Sequence, residues 1–121
     1  MAEVRYIVND VPASIAFYTG ALGFELIEQF GPAMAIVRRG DLDLWLAGPL
    51  ASASRPMPDG SRPVPGGFAR IVLRVDDLDR QIAQLKGTGV RFRNDIVAGP
   101  GGRQVLCLDP AGNLVELFER K

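Results

Sequence analysis

A chain of 121 residues, 47% hydrophobic and 23% charged, is long enough to build one compact domain with its own core and too short for two of ordinary size. Fourteen Lys and Arg balance fourteen Asp and Glu, so nothing electrostatic points to nucleic acid or to an anionic membrane. The absence of histidine and the single cysteine, Cys107, remove the commonest general base, the commonest transition-metal ligand and any internal disulfide.

The N-terminal MAEVRYIVND enters a strand-like run at once, with no basic segment followed by an apolar stretch and a cleavage site. No span in the sequence nears the length of a membrane helix, so a soluble, cytoplasmic protein is expected. EVRYIV reads as a strand, and DVPASIAFYTGAL follows with Val11, Ile15, Tyr18 and Leu22 at helical spacing. Asp10 suits the N-cap, Pro12 the first turn, and Gly20 and Gly23 the helix end. Three strand-like runs come next: GFELIEQF, AMAIVRR and DLDLWLA. Residues 48–67 hold five of the nine prolines and no periodicity, which marks a linker.

From Phe68 the order repeats: FARIVLRV as a strand, DDLDRQIAQLKGTG as a helix, then GVRFRND, RQVLCLD and NLVELFE as strands. A shift of 67 positions superposes Val8 on Val75, Asp10 on Asp77, Ile15 on Ile82, Ala16 on Ala83 and Gly20 on Gly87 without a gap. The expected organisation is one α+β domain, residues 1–121, of two tandem βαβββ modules (1–47 and 68–121) joined by the 48–67 linker. Neither module can bury both faces of its sheet alone, so the two should pack together or against another chain.

Within GNLVELFER, alternation puts Leu114, Glu116 and Phe118 on one strand face and Val115 and Leu117 on the other. If that strand is internal, Glu116 needs a cation, a metal or a hydrogen-bonding ligand, because a buried unpaired carboxylate costs several kcal/mol; on an edge it simply meets water. Cys107, in VLCLDP, reads as a small core hydrophobe. GPGG at 99–102 lacks the spacing and the following Lys of a phosphate loop and reads as a hairpin or cavity-edge loop. Without histidine a Ser-His-Asp hydrolase is excluded.

The repeated module, VNDVPASIAFYTGALGF near the start and the terminal DPAGNLVELFE together resemble the vicinal oxygen chelate superfamily, which includes glyoxalase I, bleomycin-resistance proteins, methylmalonyl-CoA epimerase and extradiol dioxygenases. The resemblance spans essentially the whole chain. It implies eight strands curled around a cavity, helices on the outside, and commonly a homodimer. In the enzymes of that superfamily a metal is held by side chains on the first and fourth strands of each half. Carried over, those positions fall on Glu3, seven residues before Asp10, on Arg70, seven before Asp77, and on Glu116; the fourth strand of the first half offers Asp43, Leu44 or Trp45. Leu42, Leu44 and Leu46 make an apolar face suited to packing under a helix, which favours Asp43 and Trp45 for the cavity.

Arg70 stands where the family usually has a histidine, and a guanidinium offers no lone pair. Glu3, Asp43 and Glu116 would make an oxygen set for magnesium or manganese, but beside a fixed positive charge, so no metal or other cofactor is expected. An Arg70–Glu116 pair replaces it. The expected function is binding of a small-molecule drug or metabolite, in the manner of bleomycin-resistance proteins, by Arg70, Glu116, Trp45, Asp43, Glu3, Phe118 and Phe92. The alternatives are a lyase, isomerase or epimerase with Glu116 or Glu3 as acid–base group and Arg70 as oxyanion stabiliser, or a partner module whose sheets serve assembly.

Overall fold

The computed structural model describes residues 2–121. The first module runs β1 (Ala2–Ile7), α1 (Val11–Ala21), β2 (Glu25–Phe30), β3 (Met34–Arg39) and β4 (Leu42–Ala47). The second runs β5 (Arg70–Arg74), α2 (Leu78–Gly87), β6 (Arg91–Phe92), β7 (Val97–Gly99), β8 (Gly102–Leu108) and β9 (Leu114–Arg120). One sheet has the order β1-β4-β3-β2 and the other β5-β9-β8-β6, with β7 also on β8. In each the first and last strands of the module pair in parallel, and the remaining pairs are antiparallel.

The repeat seen in the sequence is a repeat of caps as well as of strands. Asp10 accepts from the Ala13 amide (3.0 Å) and Asp77 from that of Arg80 (3.1 Å), each satisfying an amide that the helix itself leaves unpaired. Residues 48–67 contain a 3-10 turn at Ser52–Ser54 and neither strand nor α-helix. Gly48 opens this segment because a Cβ there would lie 2.6 Å from Val11 Cγ2.

One expectation needs correction. GVRFRND supplies only the two-residue β6, and a separate β7 follows it along β8, so nine strands are present among the described residues where eight were expected. The Oδ1 of Asn94 accepts from the Leu106 amide (2.9 Å), putting a side chain where a ladder carbonyl would otherwise serve.

The faces of the two sheets that carry Tyr6, Val8, Val37, Leu44 and Leu46, and Ile71, Leu73, Val105, Cys107, Val115 and Leu117, meet the helices in one apolar cluster with Val11, Tyr18, Leu78 and Leu85. The modules are also stitched by polar groups. The Tyr6 hydroxyl donates to the Leu114 carbonyl (2.7 Å) and accepts from the Ile71 amide (2.9 Å). Asn113 Nδ2 donates to the Ile7 carbonyl (2.8 Å), and the Gly66 amide donates to Asn113 Oδ1 (2.8 Å). The opposite, outer faces of the sheets carry most of the candidate site residues.

Candidate functional site

Register decides which side chains share a face. In the first sheet Glu3 lies beside Asp43, Arg5 beside Trp45, Ile36 beside Trp45 and Arg38 beside Asp43, all of one parity and all away from the helices. Leu44 and Leu46 point the other way and are fully buried, which leaves Asp43 and Trp45 on the outer face. Arg38 grips Asp43 with both arms, Nε to Oδ1 at 2.6 Å and Nη2 to Oδ2 at 3.1 Å. That pairing holds the Asp43 carboxyl below the ordinary carboxylate range, and the Arg38 hydrogen bonds are its largest cause. Arg5 sits with its guanidinium carbon 4.8 Å from the Trp45 ring centroid, so a cation already covers one face of the indole. The indole Nε1 is buried and has no hydrogen-bond partner. Glu3 is exposed at the open end of the strand.

In the second sheet the outer face carries Arg70, Val72 and Arg74 from β5, beside Leu114, Glu116 and Phe118 from β9. Glu116 is an internal-strand residue, 6% exposed, because β9 is flanked by β5 and β8. Arg70 supplies the cation: its Nε donates to Glu116 Oε1 at 3.1 Å, with Nη2 also 3.1 Å from the same oxygen, and its Nη1 donates to the Phe68 carbonyl at 3.3 Å. The charge-assisted pair expected at the two carried-over family positions is therefore present. Arg93 lies 4.7 Å over the Phe68 ring. Since β9 and β8 separate β5 from the β6 edge, this contact spans two strands, and Leu114 is fully buried despite its place on the outer face.

Phe118 joins this face, half-buried beside Arg74 and Gln104. Phe92 does not. It pairs in register with Cys107, whose side chain is in the core, so Phe92 lies on the helix side of the sheet, under the Lys86 ammonium at 5.7 Å. The expectation that it lines a cavity with Arg70 and Glu116 is corrected by one residue of register.

Glu3, Asp43 and Glu116 do not converge: no group of three potential metal-ligating side chains occurs among the described residues. Both buried carboxylates of the set are paired with a guanidinium, Asp43 through both oxygens and Glu116 through Oε1. Such a donor set does not fit a resident divalent ion.

Arg38 was not singled out in the sequence, although the signal is there. Across the tight Gly40–Asp41 turn, alternation places it opposite Asp43 in the β3–β4 hairpin. The most distinctive motif, DPAGN, turns out to do structural work. Asp109, fully buried, accepts from the amides of Ala111 (2.9 Å) and Asn113 (2.8 Å), from Asn113 Nδ2 (3.0 Å) and from the Tyr18 hydroxyl (2.8 Å). Gly112 has φ +90°, which its turn requires and which other residues rarely adopt.

A family model described as Glyoxalase/Bleomycin resistance protein/Dioxygenase superfamily matches residues 1–117. A bleomycin resistance protein from Geobacillus stearothermophilus is 27% identical over 120 residues, covering 93% of this chain and 91% of that protein. A superfamily member from Sphaerobacter thermophilus superposes with a TM-score of 0.79 at 29% identity, covering 99% of this chain and 96% of the other. An antibiotic binding protein from a Streptomyces species superposes with a TM-score of 0.74 at 28% identity, covering 98% and 93%.

Proposed function

Because the chain belongs to the glyoxalase/bleomycin resistance protein/dioxygenase superfamily, we propose that it is a metal-free binding protein for a small, flat, polar drug or metabolite. The observation that carries this reading is that both buried carboxylates of the outer faces, Asp43 and Glu116, are already held by arginines, Arg38 and Arg70. Asp43, bound on both oxygens by Arg38, is a poor metal ligand and, held ionised, a weak base; Glu116 is held by Arg70 through Oε1, which sets a fixed positive charge where a metal ion would lie. The lyase, isomerase or epimerase reading needs a free carboxylate in a dry site; Glu116 is paired and Glu3 is exposed.

What the faces offer instead is recognition. Trp45 and Phe118 supply flat apolar area, Arg70 and Arg5 supply cations for an anionic or carbonyl group, and the unpaired Trp45 N–H supplies a donor that gains by meeting an acceptor. A planar ligand stacks on the indole by displacing or sandwiching Arg5. Kinship with a bleomycin resistance protein and with an antibiotic binding protein supports drug-like ligands. Each outer face is covered around Asp43, Leu114 and Glu116 but open at its edge strand, with Phe30 47% and Val72 52% exposed, so the site is completed by a second copy in a homodimer.

The test is a fluorescence titration of the single tryptophan against an antibiotic and metabolite panel, with elemental analysis of the purified protein. Saturable quenching without a stoichiometric metal is expected. One tightly held transition ion per chain, or catalytic turnover of the bound compound, overturns the reading.

A further inference from the structure

Arg38 and Arg39 are consecutive, so they point to opposite faces of β3. Arg38 meets Asp43 on the outer face. Arg39 shares the parity of Val37 and lies on the helix side, where its Nη2 donates to the Arg74 carbonyl at the end of β5 (3.2 Å), across the seam between the modules. Among the described residues the arginines in ion pairs are Arg38, Arg70 and Arg103; half-buried Arg39 meets no carboxylate. Burial alone draws its pKa below the ordinary value, with no acidic neighbour to offset it.

A partly desolvated guanidinium with one hydrogen bond to protein leaves most of its five N–H donors unused. Arg39 lines a cleft of about 460 Å³ between the end of α1 and the flank of α2. Gln81 and Gln84, three residues apart on one side of α2, offer amide donors into the same cleft, and Leu22, Val75 and Leu85 supply apolar wall. The end of α1 contributes a partial negative charge of about half a unit, which leaves the guanidinium incompletely balanced.

We propose that this cleft is an oxyanion site, separate from the outer faces, taking a small metabolite with a carboxylate or phosphate group. The anion sits on the Arg39 guanidinium and the amides of Gln81 and Gln84, and any short carbon skeleton lies against Leu22 and Leu85. Since Arg39 belongs to the first module and the glutamines to the second, occupancy tightens the seam and raises the stability of the whole chain.

The test measures the thermal midpoint of the full chain against inorganic phosphate and against succinate, with sodium chloride at matched ionic strength. A saturable rise above the chloride control is expected; a tighter response to succinate identifies a ligand with a skeleton, and a tighter response to phosphate an inorganic or phosphoryl ligand. Arg39→Gln should weaken the response by about tenfold or more, the loss of a charge-assisted hydrogen bond. Gln84→Glu keeps Arg39 and gives the cleft its own carboxylate, so the ligand-free midpoint should rise and the anion response should vanish. Arg62→Gln, in the linker, should respond like the parent. No saturable rise beyond chloride, or parental affinity in either Arg39→Gln or Gln84→Glu, overturns the proposal.

Discussion

The hydroxyl of Tyr18, in the middle of α1, donates to Oδ2 of Asp109 at 2.8 Å, joining residues 91 positions apart. Both are fully buried, so this bond fixes the first module's helix on the turn between β8 and β9. Tyr18→Phe should destabilise the chain by about 1–2 kcal/mol, because Asp109 keeps its three other donors. Asp109→Ala strips a partner from Tyr18 and from the amides of Ala111 and Asn113 together, and should cost about 3 kcal/mol or more. Urea unfolding at neutral pH distinguishes the two; an Asp109→Ala variant as stable as the parent would remove this pair from the account of how the modules dock.

Alkaline stability follows from the same core. Burial pushes the Tyr6 phenol from its ordinary 10.0 up to about 12 and the Cys107 thiol from 9.0 up to about 12; it raises Tyr18 as well. A group whose pKa is raised on folding gives its full stabilisation below its unfolded pKa and loses it as pH climbs toward the folded one. Urea midpoints should therefore fall from about pH 9 upward, first through Cys107 and then through the tyrosines. Cys107→Ala should delay the onset, and in the parent the thiol should resist a disulfide reagent until the chain unfolds. A flat profile to pH 11 contradicts this.

The helices and their caps were legible because each depends on residues within a turn or two, and the doubled module because the same local pattern recurs 67 positions later without a gap. The Arg70–Glu116 pair was legible through the family resemblance, which put both residues at ligand positions, and through the chemistry of a guanidinium, which can pair with a carboxylate but cannot ligate a metal. Phe92 was misplaced, since its face depends on register against Cys107, and Asn94 breaks the strand just beyond it. The work of Asp109 was hidden for another reason: of its partners, Tyr18 comes from the far end of the sequence, and nothing local announces it.

At the acid end, Arg38 holds Asp43 low, and the Leu78 amide followed by Arg103 hold Glu119 low. Groups with depressed folded values contribute fully above about pH 4 and lose that contribution as pH falls through the folded values. Asp43→Asn should accordingly make stability less sensitive to pH between about 5 and 2. Arg38→Gln should do likewise by removing the largest cause of the depression. Equal slopes in the parent and both variants would show that this ion pair is not coupled to folding.

Assembly is open to direct measurement. With Phe30, Val72 and Val97 exposed on or beside open strands, a second copy has apolar surface to cover. Sedimentation at micromolar concentration should report a dimer, and Val72→Glu, which sets a charge beside Arg70 and Glu116 on that face, should shift it toward monomer. A parent sedimenting wholly as a single chain would contradict the pairing.

The outer face of the second sheet gives the sharpest test of the binding reading. The Glu116 side chain is 8% exposed and that of Arg70 31%, so Arg70→Ala strands a buried carboxylate whose partner was itself partly wet. The cost should be about 1–2 kcal/mol, below the range for fully buried pairs. Glu116→Gln should cost less, since an amide needs no counter-charge, and the double variant should recover part of the loss. For an anionic ligand that quenches Trp45, Arg70→Ala should weaken binding by about 1.5–3 kcal/mol. Arg5→Ala should act differently, uncovering the indole face and tightening a flat neutral ligand while weakening an anionic one. If Arg70→Ala leaves unchanged the affinity of every ligand that quenches Trp45, then Trp45 and Arg70 serve separate surfaces, and the two outer faces do not form one site.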